Sequence, residues 1–263
     1  MRRRLAATGL TVLASLALAT TACTQAPGSV TPSAATKPAT EVLTEAAAKT
    51  KGQSFKYTLT YGTQLTGDGA RDASGANALR NITFTDAASG MVIKANVLVT
   101  ADTLYVKVDL GPLTASIPGM AGLAGKWMTV DRTKIGTSGL AASLVPGGDS
   151  LTAESFIKGV VSAEKVSDTE IKGTIDLGKS APSIIQASEI AKLTPETKVV
   201  PFTATLDGEG RIIKIVINMP KVGDYAAADL TTNYTDYNAP VEVTKPPAAD
   251  TVAAPEMIYL FLQ

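Results

Sequence analysis

Few residues in this sequence are of a type that could do chemistry, and their spacing narrows them further. Two Ser-x-x-Lys tetrads occur, Ser155 to Lys158 and Ser162 to Lys165. On a helix that spacing sets an amine one turn from a hydroxyl, the arrangement that activates the nucleophile of penicillin-binding enzymes. The companion Ser-Asp-Asn and Lys-Thr-Gly elements are absent, so the tetrads do not define an acylating site. Asp68 and Asp72 are an acidic pair of the kind glycosidases use, and they read equally well as solvated turn residues. The chain has no histidine and one cysteine, Cys23. Ser-His-Asp and Cys-His catalysis, zinc chemistry and an internal disulfide are therefore excluded. Gly147-Gly148 and Gly208-x-Gly210 fit turns and not a phosphate-cradling loop. The residues thus assign no catalytic group, no metal and no cofactor, and the chain reads as non-enzymatic.

Cys23 has a different chemistry. Arg2, Arg3 and Arg4 form a basic segment, Leu5 to Ala19 an apolar one, and Thr20-Thr21-Ala22 a small-residue stretch directly before Cys23. The pattern is that of a bacterial lipoprotein signal over residues 1–22, with Thr20 where the lipobox usually has leucine. Diacylation of the Cys23 sulfur and cleavage before it would hold the mature chain on the extracytoplasmic face of the cell membrane. The paired acyl chains matter, because a single chain binds a bilayer only reversibly. No later stretch reaches the roughly 18 apolar residues of a membrane span, so attachment is expected to depend on Cys23.

Charge excludes one class of partner. The 24 cations equal the 24 anions, and removal of the three leader arginines leaves a slightly acidic chain with no basic stripe. Nucleic acid is not an expected partner.

The elements that would position a site can be read from periodicity. Residues 23–39 are rich in Pro, Ser, Thr and Ala and read as a flexible tether. Thr40 is expected to cap a short helix bearing Val42, Leu43, Ala46 and Ala47 and ending before Gly52. Alternation then predicts strands at Phe55, Tyr57, Leu59 and Tyr61; at Ile82 and Phe84; and at Ala95, Val97 and Val99. It recurs at Leu104 to Leu110, at Ile171, Ile175 and Leu177, at Phe202, Ala204 and Leu206, and at Ile213, Ile215 and Ile217. Asp207-Gly208-Glu209-Gly210 and Thr100-Ala101-Asp102-Thr103 are expected hairpin turns. Two more helices are expected, one from Thr152 through Phe156, Ile157 and Val160, the other from Ser180 with Ile184, Ile185, Ala187, Ile190 and Ala191 on its apolar side. A long antiparallel sheet with a few helices is an α+β arrangement. Two uncharged stretches, 110–125 and 135–148, flank a short strand carrying Trp127, the only tryptophan. They are too apolar for ordinary solvated loops, and either fold into the core or border an apolar site. The apolar end, Glu256 to Gln263, follows a Pro-rich break and fits an added strand or a groove.

In order of features the chain resembles the mycobacterial LppX/LprA/LprF/LprG lipoprotein family. The resemblance rests on the cysteine and tether, on Ala46-Ala47-Ala48-Lys49-Thr50 running into a strand, and on the Trp127 strand. It continues in Ile171-Lys172-Gly173-Thr174-Ile175-Asp176 and in Val241-Glu242-Val243-Thr244-Lys245-Pro246-Pro247, which resembles the end of LprG. It implies one domain over 40–247, with 248–263 as a C-terminal tail. The implied fold is a highly curved antiparallel half-barrel whose concave face is covered by helices, with an apolar cavity between. The implied activity is binding of an acylated envelope lipid or glycolipid and its transport between membrane and cell envelope, with an envelope lipid transporter as a further partner. On that reading Tyr57, Leu59, Phe84, Val97, Val106, Ile175, Phe202 and Ile215, with Phe156, Ile184 and Ile185 from helices, line the cavity. The alternative is a membrane-anchored interaction or assembly protein for an envelope transporter, without lipid cargo, in which the same residues form an ordinary core.

Overall fold

The computed structural model describes residues 37–86, 89–117, 121–135, 153–180, 185 and 187–260. Cys23, its leader, the tether up to residue 36, Ile184, and most of the 135–148 stretch lie outside them; the expected tether ends early, since Ala39 already belongs to the first helix.

The fold is α+β, an open twelve-stranded sheet that is antiparallel at all but one pairing. Two meanders build it. The first runs β1 (Phe55–Tyr61), β2 (Leu65–Arg71), β3 (Ala78–Thr85), β4 (Val92–Val99), β5 (Leu104–Asp109) and β6 (Trp127–Val130). The second runs β7 (Val160–Lys165), β8 (Glu170–Asp176), β9 (Val199–Leu206), β10 (Ile212–Met219) and β11 (Ala228–Thr235). They join where β1 pairs with β11, from Lys56↔Thr235 to Tyr61↔Leu230. At one edge β12 (Thr251–Ala253) lies parallel to β6. The described residues hold five short helices: α1 (Ala39–Thr50), α2 (Ala153–Gly159), α3 (Ala187–Ala191), α4 (Pro195–Lys198) and α5 (Glu256–Leu260).

One face of the sheet carries the core. In β1 the alternation is strict, with Phe55, Tyr57, Leu59 and Tyr61 buried and Lys56, Thr58 and Thr60 exposed. A first cluster joins these to β8–β11, to Leu43, Ala46 and Ala47 of α1, to Phe156 of α2 and to Ile185 and Ile190. A second, separate cluster gathers Val97, Val99, Leu104, Val106, Met128 and Val130 under Ile135, Ile258 and Tyr259. The opposite face is polar: on β2–β4 the Asn81 amide donates to Asp68 at 2.8 Å and the Asn96 amide to Asn81 at 2.7 Å.

Several local expectations change. Thr40 lies inside α1, whose first free amides, those of Glu41 and Val42, donate to the Pro38 carbonyl; a proline just before the first turn has φ already set for a helix start. Val160 opens β7 and does not continue α2, because it pairs with Ile175. The apolar side foreseen from Ser180 is helical only at Ala187–Ala191 among the described residues. In β10 the register shifts between Ile212 and Lys214, so Ile212, and not Ile213, points to the core with Ile215 and Ile217, as an extra residue in a strand requires. Within residues 248–260, Thr251–Ala253 form β12, and Ile258 and Tyr259 of α5 are buried in the second cluster. The Tyr259 hydroxyl accepts from the Asp131 amide at 3.0 Å.

The expected turns form. Thr100 N donates to Thr103 O across the β4–β5 hairpin, and Asp207 N to Arg211 O across the β9–β10 hairpin. Asp207 organises the second turn, accepting from the Glu209 and Arg211 amides at 2.9 Å and from Arg211 Nε at 2.7 Å. Burial alone would raise its pKa, but these hydrogen bonds and the Arg211 charge outweigh burial and hold the carboxyl below its ordinary range. Stability from a depressed carboxyl is present above the unfolded-state value and is lost as pH falls through the folded one. Asp207→Asn is therefore expected to destabilise the fold at pH 7 by about 1–2 kcal/mol. In urea titrations at stepped pH the gap should close below the ordinary carboxylate range near 4.

A tighter constraint lies on β8. A Cβ on Gly173 would sit 1.9 Å from the Ser162 carbonyl oxygen and 2.9 Å from the Phe202 ring. Gly173→Ala must part β7 from β8 or displace Phe202, and a loss of about 3 kcal/mol or more in urea unfolding is expected.

Candidate functional site

Cross-strand register decides which expected cavity residues share a face. Tyr57 pairs with Gly69 and Tyr234, and Leu59 with Gly67 and Thr232. Thr232 pairs with Ile215, Ile217 with Phe202, and Ile175 with Val200. On the other side Leu65 pairs with Phe84, and Val97 with Arg80 and Val106. All eight strand residues expected to line a cavity thus lie on the core face.

They do not share one environment. Tyr57, Leu59, Ile175, Phe202 and Ile215 belong to the first cluster together with Phe156 and Ile185. The Phe156 and Phe202 rings meet edge to face at 4.9 Å, a packed arrangement. Val97 and Val106 belong to the second cluster. Phe84 belongs to neither. Ile184 lies outside the described residues.

Between the clusters runs a strip of the core face where apolar side chains stay half-exposed. It comprises Phe84 with its partner Ile93, and Ala95 between Ile82 and Val108. Ile82 touches the first cluster and Val108 and Leu110 the second. The adjoining strand presents glycine at two core-face positions: a Cβ on Gly67 would sit 3.0 Å from the Asn81 carbonyl, and one on Gly69 would meet the Tyr57 ring at 2.5 Å. Leu110, Ile117 and Leu123 from the first uncharged stretch pack against the second cluster, which explains that stretch as core cover.

At its Phe84 end the strip meets a cavity of about 390 Å3 bounded by Phe84, Tyr225, Gly223, Asp224, Glu189 and Lys192. This is within the range of small-ligand sites, about 300–1,000 Å3. Its wall is aromatic: Tyr225 stacks on Tyr61 at 5.8 Å and meets Phe84 edge to face at 6.0 Å. Tyr61 donates its hydroxyl to the Ala226 carbonyl at 3.0 Å. Burial raises the pKa of both phenols, Tyr225 adding to it at Tyr61 and Asp224 at Tyr225, so both stay protonated at neutral pH. The rim is charged. Lys192 pairs with Glu189 at 2.6 Å, and the Glu189 carboxylate rests against Gly223, whose φ of 57° and missing side chain admit it. Tyr225, Glu189 and Lys192 carry no distinctive periodicity, and no sequence signal would have selected them.

The motifs weighed for catalysis are not brought together. Ser155 and Lys158 share the short α2, whereas Ser162 and Lys165 lie on β7, where Ser162 shares a hydrogen bond with Thr174 at 2.7 Å and Lys165 pairs with Asp168 at 2.9 Å. Asp68 accepts from Asn81 on the polar face, and Asp72 accepts from Ser74 and Asn77 inside its own turn. Among the described residues no three His, Cys, Asp or Glu side chains are placed to hold a metal ion, and no helix is long and apolar enough to cross a membrane.

No family model matches the chain, and no curated protein matches it. Among solved structures it is similar to the Pseudomonas aeruginosa MucA/MucB complex, at 12% identity and a TM-score of 0.30 over 82% of this chain. It spans 63% of the length of that structure's chain.

Core and strip should separate in stability. Phe202→Ala, in the packed first cluster, is expected to cost about 3–5 kcal/mol. Phe84→Ala, half-exposed, should lose little beyond its contact with Tyr225, about 1 kcal/mol. Urea unfolding of the two variants measures the difference, and equal costs would show that Phe84 is core.

Proposed function

We propose that the protein is a lipid-anchored carrier, held by Cys23 at the extracytoplasmic face of the cell membrane. It takes acyl chains of an envelope lipid or glycolipid along the strip between its two core clusters, and it performs no catalytic step. The finer architecture belonging to this reading is a curved half-barrel whose helices cover the strip. The observation that supports it is the half-buried row of Ile82, Phe84, Ile93, Ala95 and Val108 between two buried clusters, leading to a cavity with an aromatic wall and a charged rim.

The energetics suit transfer. Each methylene removed from water contributes about 0.8 kcal/mol, so ten would hold a chain by roughly 8 kcal/mol. Release then needs an acceptor membrane or a partner such as an envelope lipid transporter, because spontaneous loss into water is slow. A second reading, the anchored interaction or assembly protein, is favoured by one feature: seven of the eleven expected lining residues pack in the first cluster as an ordinary core would.

The test uses full-length Cys23→Ser protein, released from its anchor and purified without detergent from a lipid-rich actinobacterial host. Lipid mass spectrometry is expected to find about one acylated lipid per chain. Ala95→Trp, which fills the strip, should remove that lipid while the protein still unfolds cooperatively. A folded wild-type chain free of lipid, and unable to take it up from vesicles, would support the interaction protein instead.

A further inference from the structure

We propose that residues 247–260 form a latch that opens as a unit from the second core cluster, and that an acyl chain lying in the strip continues onto the face the latch leaves. The inference rests on reading the strip as an acyl site and identifies the element that admits the chain.

The segment hangs from a hinge. Before it, the chain is fixed to the body at Asn238, whose amide donates to the Ser54 carbonyl at 2.9 Å, and at Ala239, whose carbonyl accepts from the Ser54 hydroxyl. Residues 240–246 then run without helix or strand, exposed or half-buried. Among the described residues they make no hydrogen bond and no ion pair. Seven such residues can span up to about 23 Å. Order resumes at Pro247, whose carbonyl accepts from the Asp250 amide at 3.0 Å and from the Thr251 hydroxyl at 2.9 Å.

Every hydrogen bond and ion pair between 247–260 and the other described residues ends on one stretch, Lys126 to Lys134. β12 pairs with β6 from Thr251↔Trp127 to Ala253↔Thr129. The Ala254 amide donates to the Thr129 carbonyl at 2.9 Å, and the Tyr259 hydroxyl accepts from the Asp131 amide. Lys126 pairs with Asp250 at 3.6 Å and Lys134 with Glu256 at 3.4 Å. These side chains are all at least one-third exposed, so the pairs contribute little. β12 has three residues and α5 five, too few for either to persist in water without a partner surface. Closure therefore depends on the burial of Ile258 and Tyr259. A segment held by so few buried side chains opens well below the free energy of global unfolding.

On β4 the strip and the second cluster are consecutive on one face. Ala95 pairs with Val108, and Val97, two residues on, pairs with Val106. Ala95 and Val108 are half-buried, whereas Val97 and Val106 are buried in the cluster that holds Ile258 and Tyr259. With the latch closed, the open apolar path stops at that boundary. When it opens, Ile258 and Tyr259 leave together with Met257, which packs against the same cluster, while Leu110, Ile117 and Leu123 stay. Latch and acyl chain thus compete for one apolar face.

Locking the latch tests this. Thr129 and Ala253 are direct partners across β6 and β12, and Cys23 is the only cysteine. In full-length Cys23→Ser protein, Thr129→Cys with Ala253→Cys sets two thiols on neighbouring strands about 4.8 Å apart, a separation that a disulfide spans. Delipidated protein is titrated with oleate, first with the bond formed and then with it reduced. The oxidised form is expected to bind at least about tenfold more weakly, and reduction should restore the affinity. Hydrogen exchange read by mass spectrometry follows the latch without ligand: 247–260 should exchange at least about 100-fold faster than β9, and more slowly once oxidised. Equal oleate affinity in the two forms would overturn the latch and leave the acyl site of the strip standing. Failure of both forms to bind would overturn the acyl site and the continuation together. Exchange of 247–260 as slow as that of β9 would overturn the latch whatever the binding, and it alone decides if the disulfide does not form.

Discussion

The pairing of β1 with β11 is the constraint on which the rest of the structure depends. Each meander alone is a chain of local hairpins with two open edges. The six register pairs from Lys56↔Thr235 to Tyr61↔Leu230 turn them into one sheet. They also bring the most regularly alternating strand, Phe55 to Tyr61, into the same core cluster as Leu43, Ala46 and Ala47 of α1. This closure joins residues about 175 positions apart, and loop-closure entropy opposes it until the side chains of both strands are buried together. The hydroxyl of Tyr61 bonded to Ala226, and the Ser54 hydroxyl donating to Ala239 at 2.6 Å, fasten the two ends of that seam.

Seen from that seam, the unequal filling of the core face has a physical origin. On the β11 side most inward positions carry Ile, Phe, Leu or Val, and α1 and α2 add Leu43, Ala46, Ala47 and Phe156 to the same cluster. On the β2 side the inward positions are Leu65, Gly67, Gly69 and Arg71. Two glycines remove the volume that a helix or loop would pack against, and the Tyr57 ring takes part of the space above Gly69. The first cluster ends there, and the second takes only Ala78 from β3 before Val97 and Val99 of β4. The strip between them is thus written in the composition of β2.

How far the sequence reveals this differs from element to element. Strict alternation in β1 and β9 announces both strand and face, since one side is fully buried and the other solvated. The Asp207 and Thr100 turns are equally legible, because their hydrogen bonds are local. β2 is not: Leu-Thr-Gly-Asp-Gly-Ala-Arg has the glycines of a loop, and only the tertiary fit of Tyr57 makes them strand residues. β11, with Thr231, Thr232 and Asn233, is obscured because its polar members face a seam whose partner is remote in sequence. The bulge in β10 shifts the inward set from Ile213 to Ile212, a one-residue change that periodicity over Ile212-Ile213 cannot resolve. Face membership of the eight strand candidates was readable. Their division into core and strip was not, since it depends on what stands across the gap.

The same asymmetry bears on function through stability. On the carrier reading proposed above, apolar surface has to stay open without loss of the fold, and the two demands fall in different parts of the sheet. The first cluster draws on α1, α2 and the edge-to-face pair of Phe156 and Phe202. The second is capped by α5 and by Leu110, Ile117 and Leu123 of the first uncharged stretch. Between these two packed bodies, β3 and β4 are held by continuous pairing on both sides and need little from their core-face side chains. Half-exposed Ile82, Phe84, Ile93 and Ala95 therefore weaken the fold far less than the same exposure in β9 or β10 would. A bound acyl chain would add contacts there without reorganising the first cluster, and its departure would leave the ladder of β3 and β4 unchanged.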